Sequence, residues 1–180
     1  MLGRGFGPSP GASPLSNLVS ASPAGLCEYE VAGDGNCQFR SLSDQLYRSA
    51  DYHAGVRKEI VRELRANPRL YKGYVSADYR KYCSGMAKDG TWGDHVTLQA
   101  AANTFGLQIL LITSYEESFV LSIEPKNKKG DRVLYLSFWA EVHYNSVYPA
   151  SDPPNRTADA CEKKRKKVLG SQRLGNWLAK

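Results

Sequence analysis

The chain has 180 residues, 42% hydrophobic and 11% aromatic, with a formal net charge of +6, enough for one domain with a proper core and short for two. The charge is not spread evenly: residues 150–180 carry eight Lys/Arg against three Asp/Glu, and residues 1–149 carry sixteen against fifteen. A nearly neutral body with a basic tail argues against an enzyme that grips nucleic acid along its working face, and no apolar run approaches the roughly 20 residues that span a bilayer.

Residues 1–26 are rich in Gly, Ser, Pro and Ala, with Arg4 the sole charge. Such a segment buries too little surface to offset the entropy of ordering it, so disorder is expected, with an organelle transit peptide as the alternative. Residues 27–31 alternate as a short strand leading into the turn Asp34-Gly35-Asn36. From Cys37 onward, Phe39, Leu42, Leu46 and Tyr47 recur at helical spacing. A second helix is predicted over 53–66, with Val56, Ile60, Val61 and Leu64 on one face and Asn67-Pro68 as its stop. Ser76 is the expected cap of a third helix, whose Tyr79, Tyr82, Cys83 and Met86 face inward before Gly90. Asp94 caps a fourth through Leu98, Ala101, Ala102 and Phe105, with Gly106 as its C-terminal signal.

The period then changes. Residues 107–113 form a short apolar run that suits a strand buried on both faces. Strands are also predicted at 119–123, 133–138 and 143–148. Helices followed by strands indicate an α+β domain over 27–149, with a small central sheet packed between helices. Residues 150–180 read as a flexible basic tail. Its cluster at 163–167 is also consistent with nuclear import or a weak contact with an acidic partner such as nucleic acid.

Four cysteines show no CxxC pair, and three histidines make no HExxH or similar ligand pattern, so neither a metal site nor a cofactor is expected. The start lacks the pattern of a secretory signal. Cytosol or nucleus is the expected location, and no membrane partner is expected.

The chemistry concentrates at Cys37 and His143. A thiol attacks carbonyls as the thiolate, and a free cysteine of pKa about 8.5 supplies only a few per cent of it at neutral pH. At the mouth of a helix, unpaired backbone N–H groups favour the thiolate and stand ready for the oxyanion formed on attack. Gly35 permits the tight turn and close approach of a substrate backbone. Gly35 and Asn36 are therefore candidate oxyanion-hole residues. Without its flanks, Cys37 is more readily read as a buried cysteine opening a helix. In a strand, His143 and Asn145 share a face. Asn145 is then expected to accept from His143 Nδ1–H, turning Nε2 toward the sulfur as in Cys-His-Asn proteases.

Asp34-Gly35-Asn36-Cys37-Gln38-Phe39-Arg40, then Trp92-Gly93-Asp94, then Val142-His143-Tyr144-Asn145-Ser146-Val147 resemble the ovarian tumour (OTU) domain cysteine proteases. These are papain-like deubiquitinases, and the resemblance covers roughly residues 27–149. The stretches 39–47 and 92–102 look closest to plant members. The resemblance implies a papain-like OTU fold, Cys37 as nucleophile, His143 as general base and acid, and Asn145 as the orienting residue. Asp34 matches a family aspartate that either holds the oxyanion loop or assists the histidine. The implied reaction is hydrolysis of the isopeptide bond after the C-terminal glycine of ubiquitin or polyubiquitin. Trp92, Trp139 and Tyr144 are candidate walls of a glycine-wide channel, each also readable as a packing aromatic. A catalytically silent ubiquitin-binding module is the alternative, but it predicts loss of Cys37 or His143, and both are present.

Overall fold

The computed structural model describes residues 25–115, 119–139 and 142–152. The expectations for most of the 1–26 segment and for the basic cluster at 163–167 lie outside the described residues.

Strand β1 (Leu26–Tyr29) leads through the Asp34-Gly35-Asn36 turn into helix α1 (Cys37–Tyr47). Helix α2 (His53–Ala66) has the predicted bounds, and Val56, Ile60, Val61 and Leu64 are all buried. Their spacing gives one apolar stripe, which packs in the main core with Phe39 and Leu42 of α1. A short helix α3 (Pro68–Tyr71) follows directly, with Pro68 in its first turn, where the missing N–H costs nothing. Tyr71 is buried there, and its hydroxyl donates to Glu63 Oε1 at 2.9 Å.

Helix α4 (Tyr79–Met86) is capped by Asp78, which accepts from Lys81 N at 2.9 Å. The expected cap at Ser76 lies two residues too early. Either side chain suits a cap, and the aspartate is the one whose carboxylate meets the first turn. Helix α5 (His95–Phe105) starts at the predicted Asp94, in a reciprocal capping box with Thr97, and ends at Gly106 with φ +67°.

Four further strands, β2 (Gln108–Thr113), β3 (Val120–Ile123), β4 (Val133–Trp139) and β5 (His143–Pro149), join β1 in one sheet of order β1-β5-β4-β2-β3. Only the β2–β4 pair is parallel. Ile109 and Leu111 of β2 and Leu134 and Leu136 of β4 pack in the main core with α1, α2 and α5. Ile112 and Val147 anchor a smaller cluster with Leu26, Phe119 and Tyr135. Strand β2, paired on both edges and packed on both faces, explains its continuous apolar run. No described helix is long and apolar enough to cross a membrane.

Candidate active site

Cys37 is the first residue of α1 and carries a free thiol, half-buried. Its N–H lies in the first helical turn, where backbone donors have no partner within the helix. The turn before it is tightly built. Gly35 has φ +81°, and a Cβ there would overlap the Gly90 carbonyl oxygen and stand 2.8 Å from its carbon, so a side chain is excluded on both counts. Asn36 is 1% exposed, and its Oδ1 accepts from Gly90 N at 3.0 Å and from an Arg57 guanidinium nitrogen at 2.6 Å.

Asp34 closes the turn from the other side. Its Oδ1 accepts from Asn36 N at 3.1 Å, and its carboxylate receives a forked bond from Arg40, with the shortest contact 2.6 Å. The hydrogen bonds from Arg40 hold the Asp34 carboxyl well below the usual carboxylate range, with the Asn36 N–H adding to the effect. Of the two parts implied for Asp34, these bonds match the holding of the loop. They also bear on one expectation: the Asn36 N–H, a candidate oxyanion donor, is engaged by the Asp34 carboxylate.

His143 opens β5 opposite Trp139 of β4. Its ring lies against Gly33, whose added Cβ would stand 3.7 Å from Cε1 and 3.8 Å from Nδ1. Gly33 precedes Cys37 by one turn of chain, so thiol and imidazole occupy the same end of the sheet. Among the described residues no hydrogen bond joins them directly.

His143 Nε2 lies 3.2 Å from the Val31 carbonyl oxygen. A carbonyl can only accept, so Nε2 carries the proton and Nδ1 is the basic nitrogen of the neutral ring. That reverses the expected tautomer. Asn145 does not touch the imidazole: its Oδ1 accepts from Val31 N at 3.1 Å and its Nδ2 donates to Glu28 Oε1 at 3.1 Å. The physical reason is that the chain leaving β1 runs alongside these side chains. One residue, Val31, thereby offers its N–H to Asn145 and its C=O to His143. Asn145 is thus linked to His143 through the backbone of Val31 and not by a direct hydrogen bond.

The three aromatics separate. Trp92 is 62% exposed, just before Gly93, where an added Cβ would run into the Gln38 amide; it therefore stands beside the start of α1. Trp139 is half-buried across from His143. Tyr144 is buried and stacked on Phe138 with ring centroids 4.5 Å apart, so it backs the site from the core. Burial pushes its phenol up to about 12.

Sequence reasoning missed Val31, Glu28 and Arg57. A backbone carbonyl has no sequence signature. Arg57 had one: it lies four residues before Val61 and seven before Leu64, inside the apolar stripe of α2. Among the described residues no group of three His, Cys, Asp or Glu could hold a metal ion.

The family model of OTU-like cysteine proteases matches residues 32–146. OVARIAN TUMOR DOMAIN-containing deubiquitinating enzyme 9 of Arabidopsis thaliana is 52% identical over 130 residues, covering 72% of this chain and 38% of its own length. Enzyme 12 of the same plant is also 52% identical over 130 residues, covering 72% of this chain and 59% of its own. The OTUD1 OTU domain superposes with a TM-score of 0.58 at 22% identity, over 68% of this chain and 85% of that one. An OTU domain solved in complex with ubiquitin gives 0.59 at 15% identity, over 76% and 81%. The chain thus spans between about a third and three fifths of these two curated relatives.

Proposed function

The chain belongs to the OTU-like cysteine proteases, and from that premise we propose that it hydrolyses the isopeptide or peptide bond after the C-terminal glycine of ubiquitin. The observation that carries this is the seat of the His143 ring against Gly33, four residues before Cys37, with Nε2 held by the Val31 carbonyl; in this reading Nδ1 serves the thiol that opens α1. The plant relatives are named deubiquitinating enzymes, and one structural neighbour was solved holding ubiquitin.

Cys37 Sγ gives its proton to His143 Nδ1 and attacks the carbonyl carbon of the terminal glycine. The carbonyl oxygen takes the displaced electron pair and is met by the N–H groups of Gly35 and Cys37. One such donor is worth about 3 kcal/mol of transition-state stabilisation. The intermediate collapses, the C–N bond breaks, and the leaving lysine amine takes the proton from Nδ1. Water then gives a proton to Nδ1 as its oxygen attacks the thioester; the C–S bond breaks, ubiquitin leaves as the free acid, and Sγ takes the proton back from Nδ1. Trp92 and Trp139 flank the approach as channel walls, and two glycines pass where side chains do not. By the same reading the enzyme works in the cytosol or nucleus, where thiols are kept reduced.

Ubiquitin bearing a C-terminal electrophile tests the proposal. The native chain should form a covalent adduct, and Cys37→Ala should form none. Ubiquitin binding by the native chain without adduct or turnover would mean a silent binding module.

A further inference from the structure

We propose that Arg57 is a positioning residue for the nucleophile turn, its buried guanidinium holding the Gly35 and Cys37 amides where the oxyanion forms. The inference rests on the hydrolase reading above and deepens it.

Arg57 is 3% exposed, an unusual place for a guanidinium. Among the described residues it makes no ion pair. It donates instead to three neutral oxygens: Asn36 Oδ1 at 2.6 Å, Thr91 O at 2.8 Å and Met86 O at 3.0 Å. Its plane lies over the Phe39 ring, 3.8 Å from the centroid, and its Nε has no partner. A buried cation with no carboxylate in direct contact and an unsatisfied nitrogen is expensive for stability alone: burial pushes its pKa down, and the charges of Asp89 and Asp34 act on it only from a distance. An apolar residue in the stripe of α2 would pack the same space at less cost.

The destinations of its bonds explain the cost. All three acceptors belong to two segments, the turn before Cys37 and the chain from Met86 to Thr91. These segments are also joined directly, since Gly90 N donates to Asn36 Oδ1 at 3.0 Å and Gly35 abuts the Gly90 carbonyl. Asn36 Oδ1 thus receives two donors, one from Arg57 and one from the facing loop. If the fork is lost, both segments lose their common anchor on α2, and the turn is free to drift by tenths of an ångström. Oxyanion donors act only within a narrow distance of the developing charge. The fork joins only α2, the turn and the facing loop, so its loss is expected to act on the reacting carbonyl and not on the grip on ubiquitin's body.

Lysine at position 57 keeps the charge but offers a point donor in place of a planar fork. Arg57→Lys should lower kcat on a ubiquitin C-terminal amide about 100-fold, the scale for losing one oxyanion donor, with KM changed less than about twofold. Alkylation of Cys37 by iodoacetamide displaces iodide from a saturated carbon and forms no oxyanion. Its rate and pH profile should therefore stay within about twofold of native. Asn36→Ala should behave likewise, and Asn36→Asp, which keeps the acceptor for Arg57 but sets a second carboxylate beside Asp34, should recover part of kcat. Hydrogen exchange should show residues 34–37 and 88–91 losing protection together in Arg57→Lys while α5 and the sheet keep theirs.

Native kcat in Arg57→Lys would overturn the inference, as would a kcat loss matched by alkylation rate and folded fraction. If Arg57→Lys does not fold, Asn36→Ala and its Asp counterpart decide, and equal kcat in those two would also overturn it. If the native chain hydrolyses no ubiquitin substrate, the hydrolase reading fails, and the exchange experiment still judges the tie: unchanged protection at 34–37 and 88–91 refutes it.

Discussion

Replacing Asn145 with aspartate distinguishes two accounts of how the histidine is oriented. If residue 145 faced the imidazole, a carboxylate there would stabilise the imidazolium and keep or raise the rate. Here the Asn145 amide lies between Val31 N and Glu28 Oε1, each at 3.1 Å, and Glu28 Oε1 also accepts from Ser137 Oγ at 2.5 Å. The amide orientation is not in doubt, because a backbone N–H requires the oxygen side. Asn145→Asp therefore removes a donor and sets a second carboxylate against Glu28. Two unit charges 4 Å apart interact by about 4 kcal/mol at an effective dielectric of 20. Half-exposure of both side chains to solvent reduces that to about 2 kcal/mol. The repulsion pushes the chain after β1 away from β5, and the Val31 carbonyl that holds Nε2 moves with it. If the whole penalty reaches the transition state, kcat falls roughly 30-fold. Steady-state hydrolysis of a ubiquitin C-terminal amide near neutral pH measures this, with urea denaturation to correct for any unfolded fraction. Adding Glu28→Gln to Asn145→Asp removes one charge and supplies a donor, so most of the rate should return. A single variant as fast as native, indifferent to Glu28→Gln, would refute the indirect mechanism.

Two further outcomes follow from the nucleophile turn. Gly35→Ala forces a side chain into a left-handed conformation, at about 1–3 kcal/mol, and into overlap with the Gly90 carbonyl; Tm should drop by about 5–10 °C and hydrolysis should be lost, and a variant with native Tm and rate would contradict the packing described. Asp34 tests the Arg40 fork through pH: because its folded-state carboxyl titrates below the unfolded value of about 3.9, its contribution is complete above that value and disappears as pH falls toward the lower folded one. The side chain is 38% exposed, so after solvent screening the contribution is about 0.5–1 kcal/mol. The urea midpoint of Asp34→Asn should lie below native near pH 7 and converge with it near pH 2, whereas a gap independent of pH would show the carboxylate charge to be irrelevant.

The elements legible in the sequence are those with many residues in phase. Helix α2 could be bounded because four apolar residues and Asn67-Pro68 agree, and α5 because Asp94 and Gly106 mark both ends. The four residues of α3 are too few to show a period. For α4, Ser76 and Asp78 are equally good caps on paper, and the choice depends on where the first turn lands. The sheet order was hidden for a different reason: β3 follows β2 in the chain but stands at the sheet edge while β2 pairs in parallel with β4, and such non-local pairing leaves no local signature. At the site, the residues flanking Cys37 and His143 were sufficient to bring both forward. The shared face of His143 and Asn145 was legible from strand alternation, but the partner was not, because what fills the space beside them is backbone from β1.

Which way His143 faces is decided on the other side of β5. Asp44 of α1 is fully buried and accepts from Ser146 Oγ at 2.5 Å and Tyr148 OH at 2.6 Å, bonds strengthened by the carboxylate charge. Gln45 adds a bond from Nε2 to Val147 O at 2.9 Å and accepts from Tyr135 N at 2.9 Å, clamping α1 to both β5 and β4. With Ser146 and Tyr148 committed to α1, strand alternation sends His143 and Asn145 to the opposite face, where the Val31 peptide meets them. A slip of one residue in β5 would invert every side chain, burying the imidazole against the helix and leaving Tyr144 beside Val31. The helix that carries the thiol therefore also fixes the register of the strand that carries its base, so the two groups are placed relative to each other by the same clamp.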